Sequence, residues 1–346
     1  MRSEGELLGF LRDHAGGNPV CDDTTAVTYA EVLAAVHRVN AYFDALPLAE
    51  TGCVSVPVRN DVVHLVILLS LISRRINFVL STHHNAPGRG APGFCDRVLV
   101  LEKKEVSLGN LAGALSLAEN PYRTAGRDAD ALKPNAGAIV FSSSGTSGSP
   151  KFVRYQAANL IRNAASCAQR LGLHGGQRVL VPVPVNHLYG FGVGLLPAIL
   201  AGAGLCLIEK NNLIKLYDKL TRFGPDVTLL TPTVCKMLLH FNKNISRPGL
   251  FVTAGDRIGP DTHRAFESKY GQLVNLYGCT EMGAIATSAP ESSTEERAEG
   301  RLVPLNGVAV RIDPPEPGEI GCVHQAGFDG YLDDSGRKIP GPHTYR

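Results

Sequence analysis

Three groups of residues have types and spacing that suit chemistry on a phosphorylated ligand. The first is Ser142-Ser-Ser-Gly-Thr-Ser-Gly-Ser-Pro-Lys151, which follows the β-rich run Gly137–Phe141 and precedes a helical pattern. A loop leaving the carboxyl end of a sheet strand stands where open α/β sheets bind ligands. Gly145 and Gly148 let the backbone turn its N–H groups toward an anion. The hydroxyls of Ser143, Ser144, Thr146 and Ser147 add donors, and Lys151 adds a charge. A flexible Ser/Gly linker has a similar composition, but the flanking strand and the Pro-Lys exit argue against one. Ser149-Pro150 separates Gly148 from Lys151 and Phe152 follows, so this is not the Gly-Lys-Ser/Thr loop of P-loop hydrolases. The second group, Asn275-Leu-Tyr-Gly-Cys-Thr-Glu281, closes the strand-like run Gln272–Leu276. A carboxylate beside a hydroxyl, Glu281 and Thr280, can ligate Mg²⁺, and Tyr277 offers a flat face for a base. Taken alone, the same residues also describe a turn glycine followed by a surface acid. The third, Pro182-Val-Pro-Val-Asn-His-Leu-Tyr-Gly-Phe-Gly192, sets His187 in an aromatic, Gly-rich turn. A satisfied core histidine is the plain alternative there.

The elements that must position these groups alternate in type. Thr28 and Glu31 have capping-box spacing, and Val32, Leu33, Val36, Val39, Phe43 and Leu46 follow at helical intervals, predicting a helix over 28–46. Strand-like runs then alternate with helical ones. Strands are predicted at 53–58, 77–80, 97–101, 137–141, 178–183, 204–208, 226–230, 250–253 and 272–276. Helices are predicted near 61–74, 156–171, 191–201, 213–222, 232–241 and 260–270. This is the pattern of βαβ units. The fold class is α/β: mostly parallel sheets flanked by helices in two lobes, with a small β-rich segment near the C-terminus. Lobes are expected over 1–136 and 137–301, and the β-rich segment over 302–346. Residues 81–95 and 289–300 read as irregular, the latter as a Glu-rich solvated loop.

At 346 residues and about 150 per domain the chain has room for roughly two lobes. Lys and Arg number 34 against 32 Asp and Glu, a balance that excludes a generally cationic nucleic-acid binder. The eight cysteines show no CxxC pair and no Cys/His ligand spacing, so neither a zinc site nor a disulfide framework is expected. The polar, acid-bearing start does not resemble a signal peptide. The longest apolar run, Val62–Ser73, is too short to span a bilayer. The expectation is a cytoplasmic protein with no nucleic-acid partner and no membrane span.

Together the three groups resemble the adenylate-forming (AMP-binding) superfamily of acyl-CoA synthetases, aryl-acid ligases and nonribosomal-peptide adenylation domains. Ser143–Lys151 resembles its Thr-Ser-Gly-Thr-Thr-Gly-x-Pro-Lys loop, Tyr277–Glu281 its Tyr-Gly-x-Thr-Glu motif, and Pro184–Gly190 the segment with its aromatic-or-His gate. Thr28–Glu31, Thr253–Ile258, Gly318–Ile320 and Gly330-Tyr331 are similar to further family segments. The resemblance implies that Ser143, Ser144, Gly145, Thr146, Ser147, Gly148 and Lys151 hold the β- and γ-phosphates of ATP. It implies that Thr280 bonds the α-phosphate and that Glu281 binds Mg²⁺. Tyr277, with Gly278, and Gly255, Asp256 and Arg257 would line the adenine site. His187 would gate the acid pocket and thiol entry, with Asn186, Tyr189, Gly190 and Cys279 around it. The implied reaction joins a carboxylate to the α-phosphate, giving an acyl-adenylate and pyrophosphate. The acyl group then passes to a thiol of coenzyme A or of a carrier protein's phosphopantetheine. A non-catalytic nucleotide- or acyl-binding relative of the same fold is the other reading.

Phe152 departs from the Gly usual after the loop lysine, and the region between the second strand and residue 97 is shorter than the family's. The sequence stops at His343-Thr-Tyr-Arg346, where the family next reads Thr-Gly-Asp. The resemblance thus implies an isolated large N-terminal domain, without the ribose-binding Asp or the small catalytic domain, and with impaired adenylation. Members that activate α-amino acids carry an Asp near the gate, and Val181–Val193 holds no acid. The expected substrate is an aryl, fatty or other small organic acid, with Asn186 and Tyr189 as partners for a ring hydroxyl.

Overall fold

The computed structural model describes residues 4–14, 17–46, 48, 51–82, 90–102, 106–124, 132–143, 151–209, 212–313, 319–333 and 335–339. Local chemistry sets many of the element boundaries. Thr28 caps the helix Tyr29–Asp44: its Oγ1 accepts from the Glu31 N–H at 3.2 Å, and Oε2 of Glu31 accepts from the Thr28 N–H at 2.7 Å. The apolar run folds as the helix Val62–Ser73, capped by Asp61 on the His64 N–H and buried along most of its length. It packs against Tyr29–Asp44 between the sheets, as a core helix.

Among the described residues the strands form two large sheets. The eight-stranded sheet runs Lys338–Ile339, Gly330–Leu332, Lys151–Gln156, Ala138–Ser143, Phe78–Thr82, Val54–Val58, Arg97–Leu101, Leu115–Glu119. The nine-stranded sheet runs Val303–Pro304, Gly283–Thr287, Leu273–Cys279, Leu250–Thr253, Val227–Leu230, Arg178–Val181, Gly204–Leu207, Val20–Cys21, Ala26–Val27. Both are parallel at the centre and antiparallel toward their edges. The α/β class and the helix-flanked, largely parallel sheets are as expected. A separate ribbon, Val308–Asp313 with Glu319–His324, forms the small β-rich segment.

The sheets interleave along the chain instead of following the division expected at 136 and 137. Ala138–Ser143 pairs in parallel with Phe78–Thr82, so the strand before the Ser/Gly loop belongs to the sheet of the early residues, while Val20–Cys21 joins the other. The loop does not lead directly into a helix. Lys151–Gln156 intervenes as a strand antiparallel to Ala138–Ser143, because Phe152, Val153, Arg154 and Tyr155 are all buried and need neighbours on both faces. The 289–300 stretch holds a short helix, Thr294–Ala298, capped reciprocally by Ser293 and Glu296 and anchored by Arg297, whose guanidinium meets Glu267 at 2.7 Å inside the protein. The helix predicted at 191–201 starts as a wide π turn, Tyr189–Leu195, and narrows to Leu196–Leu200. Among the described residues, no helix is long and apolar enough to cross a membrane.

Candidate functional site

The two sheets meet where their central strands end, and the sequence motifs gather there. Ser143 and Lys151 face each other as the last pair of one hairpin. Ser144, Gly145, Thr146, Ser147 and Gly148 lie outside the described residues. Lys151 is exposed, with Nζ 5.6 Å from the centre of the Tyr331 ring. Phe152 points away from the loop into an apolar cluster, edge-on to Phe94 at 5.0 Å, so the aromatic residue in place of glycine serves the core.

The second motif forms the bend between Leu273–Cys279 and Gly283–Thr287, with the ladder shifting register at Tyr277 and Gly278. Three hydrogen bonds from distant segments hold it. Tyr155 Oη donates to the Thr280 carbonyl at 2.8 Å, the Phe328 N–H donates to the Glu281 carbonyl at 2.8 Å, and Tyr331 Oη donates to Glu281 Oε1 at 2.9 Å. Burial raises the Tyr155 phenol well above its ordinary range, which keeps it a donor. The Glu281 carboxylate is 7% exposed and keeps oxygen lone pairs beyond the one that Tyr331 engages. Gly283 has φ +71° and touches Asn163, whose Oδ1 accepts from the Ala284 N–H at 3.1 Å and whose Nδ2 donates to the Ala284 carbonyl at 3.0 Å. Asn163 also reaches His324, so a helix, a hairpin and the C-terminal ribbon lock together behind the bend.

Two cavities open on either side of this bend. The first, of about 190 Å³, is walled by Phe141, Ser142, Asn163, His187, Tyr189, Gly192, Ala254, Cys279, Thr280 and Gly283, among others. The second, of about 510 Å³, is walled by Thr253, Asp256, Arg257, Ile258, Asn275, Tyr277 and the turn Ala298–Gly300. Gly255, Leu276 and Gly278 line both, so the chambers share a wall. His187 stands at the mouth of the smaller one, where partial desolvation lowers its imidazole below the ordinary range and favours the neutral ring. Burial pushes the Cys279 thiol up to about 12, so it is a protonated wall residue and not a nucleophile.

The third motif is only partly gathered in. Tyr189 lines the cavity with its ring, but its hydroxyl donates to the carbonyls of Leu230 at 3.0 Å and Val252 at 2.8 Å; it braces strand ends and is not aimed at a ligand. Asn186 is not among the residues lining either cavity. Gly190 acts through its backbone, since a Cβ there would stand 2.3 Å from the Pro184 carbonyl oxygen. Sequence reasoning missed Asn163 and Tyr155, which lie on a helix and a strand away from any recognisable motif. Among the described residues no cluster of three or more His, Cys, Asp or Glu could by itself cage a metal. One buried carboxylate with free lone pairs is a donor set that fits Mg²⁺ completed by phosphate and water oxygens.

The model of the AMP-binding enzyme family matches residues 83–332, which takes in the whole span from the first motif's strand to Tyr331. The chain belongs to this family. Among curated members, it is 26% identical over 197 residues to a sulfoacetate–CoA ligase of Cupriavidus necator, over 55% of this chain and 38% of that protein. The chain therefore spans well under half the length of that relative. Among solved structures, apo MatB from Rhodopseudomonas palustris superposes with a TM-score of 0.73 at 20% identity, over 95% of this chain and 72% of MatB. The N-terminal subdomain of Klebsiella oxytoca NpsA, in complex with 3-hydroxybenzoyl-AMSN, gives a TM-score of 0.71 at 16% identity, over 96% of this chain and 90% of that one. At these identities the two structures establish the family's fold for this chain.

Proposed function

We propose that the protein activates a carboxylic acid with ATP to an acyl-adenylate, releasing pyrophosphate, and passes the acyl group to a thiol of coenzyme A or of a carrier-protein phosphopantetheine. The observation that carries this reading is the shared wall between the two cavities, beside the bend bearing Thr280 and Glu281. A base in the larger chamber, against Tyr277 and Gly255–Arg257, leaves its α-phosphate near Gly278–Thr280, next to an acid in the smaller one. The carboxylate oxygen would form a bond to the α-phosphorus as the bond to the pyrophosphate oxygen breaks. Thr280 would hydrogen-bond the α-phosphate, Lys151 and Ser143–Gly148 would hold the outgoing phosphates, and Glu281 would hold Mg²⁺. The ion supplies neutralisation of phosphate charge. The chain's own share is positioning and fixed dipoles in a partly dry site. His187, neutral and at the mouth, suits a gate for acid and thiol.

The described lining of the smaller cavity contains no Lys, Arg, Asp or Glu. That favours an uncharged, compact acyl tail, aryl or aliphatic. It disfavours both a free α-amine and a second anionic group such as that of the acid named for the sulfoacetate ligase. The test is incubation with Mg·ATP and a panel of acids, trapping the adenylate with hydroxylamine and identifying the nucleotide formed. Acid-dependent AMP and hydroxamate, abolished in Glu281→Ala, support the reading. ADP in place of AMP refutes it, and ligand binding that survives Glu281→Ala without any turnover points to a non-catalytic relative.

A further inference from the structure

Cys21 and Cys206 are neighbours in register on adjacent parallel strands, Val20–Cys21 and Gly204–Leu207. Residues paired this way point to the same face of a sheet. That face is covered by the helix Leu213–Arg222: Cys206 lies in the apolar cluster containing Leu216 and Leu220, and Cys21 packs against that cluster. The two differ in access, since Cys206 is buried and Cys21 is partly exposed at the sheet's edge region. Lys219, from the covering helix, sits over the pair, its Nζ donating to the Asp22 carbonyl at 2.9 Å. The neighbouring Cys206 thiol lowers the Cys21 thiol below its ordinary range, with help from the Lys219 charge, and Cys21 raises Cys206 in return.

We propose that Cys21 and Cys206 form a peroxide-sensitive dithiol, in which the reachable Cys21 is oxidised first and the buried Cys206 resolves it into a disulfide. The Cys21 thiolate sulfur bonds to one oxygen of a hydroperoxide, and the O–O bond breaks. The leaving oxygen carries the electron pair and takes up a proton as alcohol or water, and Cys21 becomes a sulfenic acid. The Cys206 sulfur then attacks Cys21 Sγ, and the displaced hydroxide leaves as water with the Cys206 proton. The sum is two thiols oxidised by one peroxide. A second pair provides the contrast within the same molecule. Cys53 and Cys95 also lie close, Sγ to Sγ 3.9 Å, but both are fully buried beneath Phe94 and Phe152. Proximity without access is expected to leave them reduced.

The experiment treats the native protein with hydrogen peroxide, alkylates the remaining thiols after unfolding, and maps the peptides by mass spectrometry. The expected product is a linked Cys21–Cys206 peptide pair, lighter by two hydrogens and reversed by dithiothreitol, with Cys53 and Cys95 alkylated. In Cys206→Ser the same treatment should stop at a sulfenic acid on Cys21 that dimedone traps. The wild-type map stands by itself if that variant fails to fold. Recovery of Cys21 as an alkylated thiol, its passage to sulfinic acid without a link to Cys206, or linkage of Cys53 to Cys95 first would each overturn the proposal.

Discussion

Part of the protein's stability should be lost between pH 6.5 and about 4 at His324. Its imidazole ends the strand Glu319–His324, with Nδ1 accepting from the Ala326 N–H at 2.8 Å and Nε2 at 2.7 Å from Asn163 Nδ2. An imidazolium here would turn its Nδ1–H toward the Ala326 N–H, a donor, and the Ala284 backbone offsets the cost of burying the charge only in part. Burial lowers the group from 6.5 to about 4. That gap converts to roughly 3 kcal/mol of preference for the neutral ring in the folded protein. Above 6.5 both folded and unfolded chains hold the neutral ring and nothing is lost. As the pH drops through the window the unfolded chain binds a proton that the folded one resists, so stability declines, and the decline ends near the folded value. His324→Gln keeps a polar side chain and cannot titrate. Urea unfolding of both proteins across the window should show the wild type losing about 3 kcal/mol more than the variant. Parallel curves would refute the assignment, because the carboxylates that also titrate there are common to both proteins.

Three substitutions test the bend and its braces. Gly283→Ala forces a Cβ to 2.6 Å from Asn163 Oδ1 at φ +71°; unfolding should show a loss of about 1–2 kcal/mol for the backbone and about 1–3 kcal/mol for the overpacking, and a loss below the first figure would mean that the turn relaxes freely. Asp329→Asn removes the carboxylate paired with Arg154, which is 7% exposed, at an expected cost of about 3–5 kcal/mol. Adding Arg154→Met should recover much of that, and a double variant no more stable than the single would count against a buried-charge penalty. Tyr331→Phe deletes the hydrogen bond to Glu281. With the fold intact by melting, acid-dependent adenylation should drop about tenfold or more, and full activity at low Mg²⁺ would show that the phenol does not position the carboxylate.

Much of the fold is legible because local chemistry and global structure agree. The helices Leu213–Arg222, Pro232–Phe241 and Pro260–Tyr270 begin and end where pattern and caps place them. Lys151–Gln156 hides because a strand buried on both faces shows no alternation, and Arg154 looks like a surface residue until Asp329, far along the chain, supplies its partner. Sheet membership hides for a related reason: apolar runs mark strands but carry no address, so nothing in Val20-Cys21 foretells its pairing with Leu205-Cys206. The site divides the same way. Glu281 and His187 announce themselves by motif, whereas the Tyr189 hydroxyl offers no sign in sequence that two carbonyls will occupy it. Asn163 looks like one polar residue in an amphipathic helix until Ala284 and His324 arrive beside it.

The place of Gly330–Leu332 has a consequence for the order of assembly. It covers the flank of Lys151–Gln156 and brings Tyr331 to Glu281, contacts that span 178 residues for the Tyr331–Val153 pair and 50 for the carboxylate. Such long-range pairings close late, after the loop between them has lost its freedom. On the ribosome, the hairpin behind the Ser/Gly loop is made early and waits with an open edge of unpaired N–H and C=O groups, a template for other chains. Until residue 332 emerges, that edge is uncovered and Glu281 lacks its phenol. The strand that completes the site is therefore also the one that covers this edge.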